Sequence, residues 1–496
     1  MLDTSICQKA RLSRDPRFDG QFFTAVKTTG IYCRSICPAS PPKEENVQYF
    51  SSAIECATAG FRPCLRCRPD SAPYSPAWKG VNATLDRAMR LIDEGALQSL
   101  SLAQLSERLG ISDRYLRQVF KQHLGMSPKR YSLYQQCLFA KQLLQQTQLP
   151  IIQVALASGF DSIRRFNDCF KAELKLTPSQ VRKTGGDKFN QVTLKLYYRP
   201  PFDWSLMQGT LAARAVDKLE WCDEHSYGRT FNWYGTVGCF TAKHHAKQNM
   251  FGVNIELNEV KHLKAIINNI RRILDLDLDV QAVEADLKAC LPASFPFKSG
   301  VRLPGIWSLF EAGIRAILGQ QISVTAARNL VTTLVNELGE SYGEHILFPS
   351  PQAIAMSELA FLKIPGSRKQ TLRNLAQHYC DMAAQGYCDM TANSACDKTT
   401  LGNFEGTQNG LEERVVNDTS QWLTLKGIGP WTVEYARMRG LSDPDIFLVG
   451  DLGVKKALAK VLINKNGDEK DPIEELSSEQ VSPWGSYLTF QLWSQL

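Results

Sequence analysis

No apolar run in this 496-residue chain approaches the ~20 residues needed to cross a bilayer, so no membrane-spanning helix is expected. Met1–Ala10 lacks the charged-then-apolar pattern of a secretory leader, which points to a cytoplasmic protein. No short tandem repeat is present, which excludes solenoids and propellers. The 14 cysteines are not expected to build a disulfide framework in a reducing compartment. Hydrophobic content of 44% and charged content of 22% are those of ordinary globular domains, and the length suggests three to five of them at ~100–200 residues each. Charge is unevenly placed: residues 1–184 hold 26 Lys and Arg against 15 Asp and Glu, whereas the remaining 312 hold 31 against 35. A basic front third fits a polyanionic partner.

Breaks in composition divide the chain. Pro69–Gly80 and Lys183–Lys188 read as linkers. Alternating QVTLKLYYR from Gln191 marks the start of strand structure, and long helical patterns resume after Phe297–Pro304. Met390–Glu412 is polar and aperiodic, and reads as a long surface loop. The organisation expected is a small domain over 1–76, an all-α domain over 82–184, a mixed α/β domain over 190–301 and an all-α domain over 302–496, a multidomain α+β protein.

Ten cysteines are scattered and read as buried small apolar residues: Cys7, Cys56, Cys137, Cys169, Cys222, Cys239, Cys290, Cys380, Cys388 and Cys396. The other four, Cys33, Cys37, Cys64 and Cys67, have the spacing C-x3-C, a gap of 26 residues, then C-x2-C. Two short knuckles joined by a long gap suit one tetrahedral zinc ion with four thiolates, and spacing alone leaves open whether the zinc is structural or reactive. The words around them, TTGIYCRSIC, ENVQYFSS and AGFRPCLRCRPD, closely resemble the N-terminal domain of the Ada adaptive-response regulators over about residues 5–75. That resemblance implies that Cys33 accepts a methyl group from a DNA methylphosphotriester, once per molecule. A zinc ion with four thiolates carries a formal charge of −2; alkylation brings it to −1, which should strengthen attraction to DNA phosphates and act as a switch. Arg34, Arg62, Arg66 and Arg68 flank the cysteines, and Arg34 is the first candidate for a phosphate contact.

Residues 82–183 carry two helix-turn-helix patterns. In the first, Ser101–Leu109 turns through Gly110-Ile111-Ser112 into Asp113–His123, with Leu116, Val119 and Phe120 inward. In the second, Ile151–Ser158 turns through Gly159-Phe160 into Ser162–Glu173. The run GF-x5-F-x3-FK-x5-TPSQVR, from Gly159 to Arg182, resembles the AraC-type DNA-binding domain. This implies one helix per unit in the major groove of promoter DNA, with Arg114, Arg117, Arg164 and Arg165 as candidate contacts and RNA polymerase as a further partner.

In LTLKGIGPWTVEY, Leu423–Tyr435, the glycines Gly427 and Gly429 permit a tight hairpin between helices whose backbone N–H groups can approach a DNA phosphate. A monovalent cation at such a hairpin is expected as well. Asp451 follows sixteen residues after Tyr435. With TLKLYYRPPFDWSLMQGTLAARAV, RLPGIWSLFEAGIRAILGQQISV, DIFLVGDLGVKK and SPWGSYLTFQLW, the segment 191–496 closely resembles the AlkA-type 3-methyladenine DNA glycosylases of the helix-hairpin-helix superfamily. The resemblance implies release of 3-methyladenine- and 7-methylguanine-type bases from duplex DNA by N-glycosidic hydrolysis, with Asp451 as the catalytic carboxylate and Trp431, Tyr435 and Trp493 lining the base pocket. A base methylated at N3 or N7 is cationic and leaves without strong acid catalysis, so one carboxylate can suffice. Trp431 stands where strand-cleaving relatives carry a lysine, which implies base removal without lyase action. Gln320, Gln321 and Ile322 are the candidates for a wedge filling the gap left by the flipped base. The Pro-Cys-His-Arg core of an alkylguanine methyltransferase does not occur, so that repair activity is not expected. The whole reads as a soluble, nucleoid-associated alkylation-response protein. The alternative is a non-enzymatic regulator that binds damaged DNA and carries structural zinc.

Overall fold

The structure, a computed structural model, describes residues 3–14, 22–37, 39–51, 55–56, 59–64, 67, 69, 81–93, 95–182, 191–292, 295–392, 419–463 and 478–496. Both expected linkers, apart from Pro69, lie outside these residues, as do Arg66, Arg68 and Cys396. The expected loop at Met390–Glu412 begins as the end of the Gly366–Ala392 helix, and its remainder lies outside them too. Contacts divide the chain into Met1–Ser132 and Leu133–Leu496.

The first unit opens with a helix, Thr4–Ser13, capped by Asp3. Strands β1 (Phe23–Val26), β2 (Ile31–Arg34), β3 (Val47–Phe50) and β4 (Arg62–Pro63) form a sheet in the order β3-β1-β2-β4. Its core is small, centred on Phe23, Ala25, Tyr32 and Cys56. Too few apolar groups are buried there to hold the sheet unaided, which is the usual reason a domain of this size binds a metal.

The first helix-turn-helix pair is Leu102–Leu109 and Asp113–Leu124. Ser101 and Gln104 close a capping box on the first helix, Gly110 ends it with positive φ, and Ser112 caps the second. Leu105, Leu116 and Phe120 are fully buried between them. In the second unit, Ile151–Ala157 and Ile163–Leu174 repeat the arrangement around Phe166 and Phe170.

Strands β5 (Gln191–Tyr197), β6 (Glu220–Cys222), β7 (Ser226–Trp233), β8 (Thr236–His245) and β9 (Met250–Leu257) form an antiparallel sheet in the order β5-β9-β8-β7-β6. A buried ion-pair network ties it to the helical core. Arg229 of β7 donates to Glu311 at 2.8 and 3.2 Å, and Arg315 donates to Glu220 of β6 at 2.7 Å. Glu311 and Arg315 lie on the apolar Leu309–Gly319 helix, which packs beside the Pro430–Gly440 helix. That packing needs glycine at 440, where a Cβ would come within 2.8 Å of Leu309 Cα. Of the scattered cysteines described, Cys7, Cys56 and Cys137 are buried as expected, Cys169, Cys222, Cys239 and Cys380 are half-buried, and Cys290, at the end of the Val280–Cys290 helix, is exposed.

Candidate functional site

The four clustered cysteines converge. Cys33 lies on β2, paired across the sheet with Thr24. Cys37 follows a turn closed by its N–H donating to Arg34 O at 3.2 Å, and Cys64 N donates to Tyr32 O at 3.0 Å. All four Sγ atoms lie within 4.8 Å of one another, with Cys37 and Cys64 sulfurs 4.0 Å apart. A tetrahedral ion with ~2.3 Å metal–sulfur bonds sets its sulfurs roughly 3.8 Å apart, so the set fits zinc. Hydrogen bonds from Cys37 and Cys67 push the Cys33 thiol up, whereas the bond with Cys33 brings Cys37 down to about 2. The thiols compete for protons, and a dication is what makes all four thiolates together.

Cys64 and Cys67 are buried, whereas Cys33 and Cys37 are half-buried. Cys33, Cys37 and Cys64 line a cleft of about 700 Å³ whose walls also carry Arg11, Arg14 and Arg62. The hydroxyls of Thr24 and Ser35, each 2% exposed, line it as well. Arg34 corrects the expectation of a phosphate contact: it is 6% exposed, its Nη1 donates to Cys67 O at 3.2 Å, and its backbone N–H points to Cys67 Sγ at 3.4 Å. It organises the cysteine loop from inside.

The second site gathers around Asp451, which begins the Leu452–Ile463 helix. Its Oδ1 accepts from Gly453 N at 2.8 Å, Val454 N at 3.0 Å and Trp493 Nε1 at 2.9 Å, and Oδ2 accepts from Trp431 Nε1 at 3.2 Å. The carboxylate is thus a helix cap and also the meeting point of two indoles. Trp431 stacks on Tyr435 with centroids 5.2 Å apart, and Tyr435 lies 6.4 Å from Trp493. Three residues that sequence reasoning passed over complete this corner. At Gly453 a Cβ would meet Asp451 Oδ1 at 2.9 Å and Trp493 Nε1 at 3.0 Å. Val449 and Leu452 flank the carboxylate with exposed apolar side chains. The one available signal, glycine two residues after an aspartate, is too common to notice.

The hairpin treats its glycines differently. Gly427 has φ +93°, and a Cβ there would fall 2.0 Å from Thr371 Oγ1, so only glycine fits. Gly429 is extended with open space around it, a correction to the view that both glycines serve the turn. Its bare backbone leaves the N-terminus of the Pro430–Gly440 helix uncovered. Gln320 Nε2 donates to Gly427 O at 3.3 Å and Thr432 Oγ1 at 3.0 Å, bracing the hairpin. Gln321, at φ +60°, and Ile322 are exposed beside it. On the helix-turn-helix units, Arg114, Arg117, Arg164 and Arg165 are all exposed, with Arg117 donating to Asp113 at 2.8 Å on its own helix.

The chain matches four family descriptions in order: "Metal binding domain of Ada" over 6–70, "Helix-turn-helix domain" over 105–184, "AlkA N-terminal domain" over 193–308 and "HhH-GPD superfamily base excision DNA repair protein" over 314–483. The Escherichia coli "DNA-3-methyladenine glycosylase 2" is 30% identical over 60% of this chain and 95% of its own length. The Escherichia coli "Bifunctional transcriptional activator/DNA repair enzyme Ada" is 33% identical over 35% of this chain and 48% of its own length. A Mycobacterium tuberculosis protein described as "Probable bifunctional transcriptional activator/DNA repair enzyme AlkA" is 32% identical across 100% of this chain and 97% of its own length. With all four domains in that order and likeness over its full length, the chain belongs to the family of bifunctional transcriptional activator/DNA repair enzymes AlkA.

Proposed function

We propose that this protein releases methylated bases of the 3-methyladenine and 7-methylguanine type at the Asp451 pocket, and takes methyl groups from DNA methylphosphotriesters onto Cys33. The observation that carries the first activity is one carboxylate held by two indole N–H groups at the edge of a stacked Trp431–Tyr435 pair.

A flipped base enters the aromatic corner and stacks there. As its glycosidic bond breaks, the bonding electrons go to the base, which loses its positive charge, and charge develops on the sugar. Asp451, fixed by four donors, opposes that charge and positions water for attack at the sugar carbon. Trp431 offers no amine for a Schiff base, so the product is an abasic site in an uncut strand. Gln321 or Ile322 fills the space the base leaves, and the uncovered backbone at Gly429 meets a phosphate.

Cys33, Cys37, Cys64 and Cys67 would hold a zinc ion, which would keep their sulfurs as thiolates at neutral pH. The Cys33 sulfur attacks the methyl carbon of a phosphotriester; an S–C bond forms, the C–O bond breaks, and the phosphodiester leaves as an anion. A neutral triester approaches a −2 cluster without the repulsion a diester would meet. The domains are assigned as 1–76, 82–184, 190–301 and 302–496, with Arg114, Arg117, Arg164 and Arg165 on promoter DNA. RNA polymerase as a partner, a monovalent cation at the hairpin and a cytoplasmic, nucleoid-associated location belong to the same reading; no helix among the described residues is long and apolar enough to cross a membrane.

The test is release of free 3-methyladenine and 7-methylguanine from methylated duplex DNA by wild type and Asp451→Asn. Asparagine keeps the helix cap and removes the charge, so release should fall by about a hundredfold or more with the fold intact. Full release by the variant would overturn the assignment of Asp451.

A further inference from the structure

The wall behind the base pocket poses an electrostatic problem. Arg439 lies one turn after Tyr435 and is 2% exposed. Its Nε donates to Pro304 O at 2.6 Å and its Nη1 to Tyr435 Oη at 3.3 Å; both acceptors are formally neutral. Its guanidinium sits 5.8 Å from the Tyr435 ring centroid. No carboxylate pairs with it among the described residues. The nearby buried carboxylates are already taken, Glu311 by Arg229 and Arg315, and Glu220 by Arg315 and Arg229. Arg214, beyond the Trp204–Ala212 helix, and Arg315, on the Leu309–Gly319 helix, add further positive charge near Tyr435. On the pocket side, Tyr435 faces Trp431, Trp493 and, through their indoles, Asp451.

A buried guanidinium without an anion is costly, and an excess of buried positive charge behind the pocket should repel a cationic base. Tyr435 is the acid that touches both Arg439 and the pocket. We propose that Tyr435 gives up its phenolic proton to solvent when a cationic base stacks on it, becoming a phenolate between Arg439 and the base, and that this makes the pocket prefer cationic bases to neutral ones. The inference rests on Tyr435 lining the base pocket. Burial pushes the phenol up, but Arg439, then Arg214 and Arg315, outweigh it and hold Tyr435 below the ordinary tyrosine value. A second positive charge beside the ring acts in the same direction. When the glycosidic bond breaks and the base becomes neutral, the phenolate loses one partner and regains its proton from solvent, which loosens the product. The charge therefore serves binding of the cationic base, and KM should respond to it more than kcat.

The test uses the full, zinc-loaded chain and two aromatic probes of similar shape as competitors of base release: 1-methylnicotinamide, methylated on the ring nitrogen and cationic at every pH, and nicotinamide, neutral near and above pH 7. In wild type the preference for the cation should rise by up to about tenfold per pH unit on approaching the Tyr435 ionisation, because one proton leaves per cation bound. The slope should vanish in Tyr435→Phe and move to higher pH in Arg214→Gln. Phenolate absorbance should show one tyrosine ionising below about pH 10 that is missing from Tyr435→Phe. A flat wild-type profile, or an equal slope in Tyr435→Phe, overturns the phenolate. If Tyr435→Phe also leaves probe binding and 3-methyladenine release unchanged, the pocket assignment itself falls; if release changes while the slope persists, only the phenolate falls.

Discussion

The cysteine cluster and the Asp451 corner are proposed to meet the same chemical insult, a methyl group on DNA, with opposite designs. The cluster is local: residues 33 to 67 hold all four ligands, set by short knuckles and backbone hydrogen bonds such as Cys64 N to Tyr32 O. In the proposed reaction it is spent in one transfer, since the thioether has no route back to a thiolate. The corner is assembled from distant chain: Trp431 and Tyr435 on one helix, Asp451 at the start of another, and Trp493 at the end of a third. It forms no lasting bond and can turn over. A single-use site tolerates a small domain fastened by one ion, whereas a recycling site needs a carboxylate held in register by a large packed core.

The largest expected effect breaks the two sites apart. Cys33→Ala should abolish methyl uptake, measured as labelled methyl per protein, and leave base release from alkylated DNA at the wild-type rate. Chelation should go further, because zinc binding contributes on the order of 10 kcal/mol to small domains of this kind. Loss of sheet signal over β1–β4, with base release retained, is the expected outcome. Loss of both activities in Cys33→Ala would show that the sites are coupled.

A second prediction concerns pH. Asp275 is half-buried beside Arg302 and accepts from Leu303 N at 3.0 Å and Tyr487 Oη at 3.1 Å; loss of solvent raises it to about 6. An unfolded aspartate titrates near ~3.9. Its folded value is raised, so its contribution is full below about pH 4 and is lost as pH rises through about 6. The loss is about 3 kcal/mol at most. Asp275→Asn should remove that slope from the unfolding free energy, most visibly between pH 4 and 7, while methyl uptake at Cys33 stays unchanged.

The hairpin glycines offer a smaller contrast. Gly427→Ala should cost roughly 1–3 kcal/mol in unfolding free energy, through positive φ and the clash with Thr371. Gly429→Ala should change stability by less than about 0.5 kcal/mol and show itself instead as weaker binding to duplex DNA. Gly453→Ala should slow base release about tenfold, by moving Asp451 or Trp493 a few tenths of an ångström. An unchanged rate would mean that the carboxylate's position is set elsewhere.

Much of the protein was legible from residue order. Helix-turn-helix boundaries followed from Ser101, Gly110, Ser112 and Ser162, because caps and turns act over a few residues. Strand β5 followed from the alternation in QVTLKLY. The arginines were harder. Arg34 looks from the sequence like any basic neighbour of a cysteine, and only the fold of the loop turns it inward. Gln320 and Gln321 are adjacent and identical, yet one braces the hairpin and the other stands at positive φ in solvent.

Spacing, caps and periodicity are interactions between near neighbours, so the sequence by itself determined the zinc quartet, the helix ends and the hairpin, whereas the pocket residues were named only through the resemblance to AlkA-type glycosylases. Burial, and charge placed beside charge, depend on which distant segments meet. Only the tertiary structure could decide that Asp451 receives two indoles, that Gly453 must be bare, that Arg34 is internal, and that Arg439 lies buried with a tyrosine and, among the described residues, no carboxylate at its side.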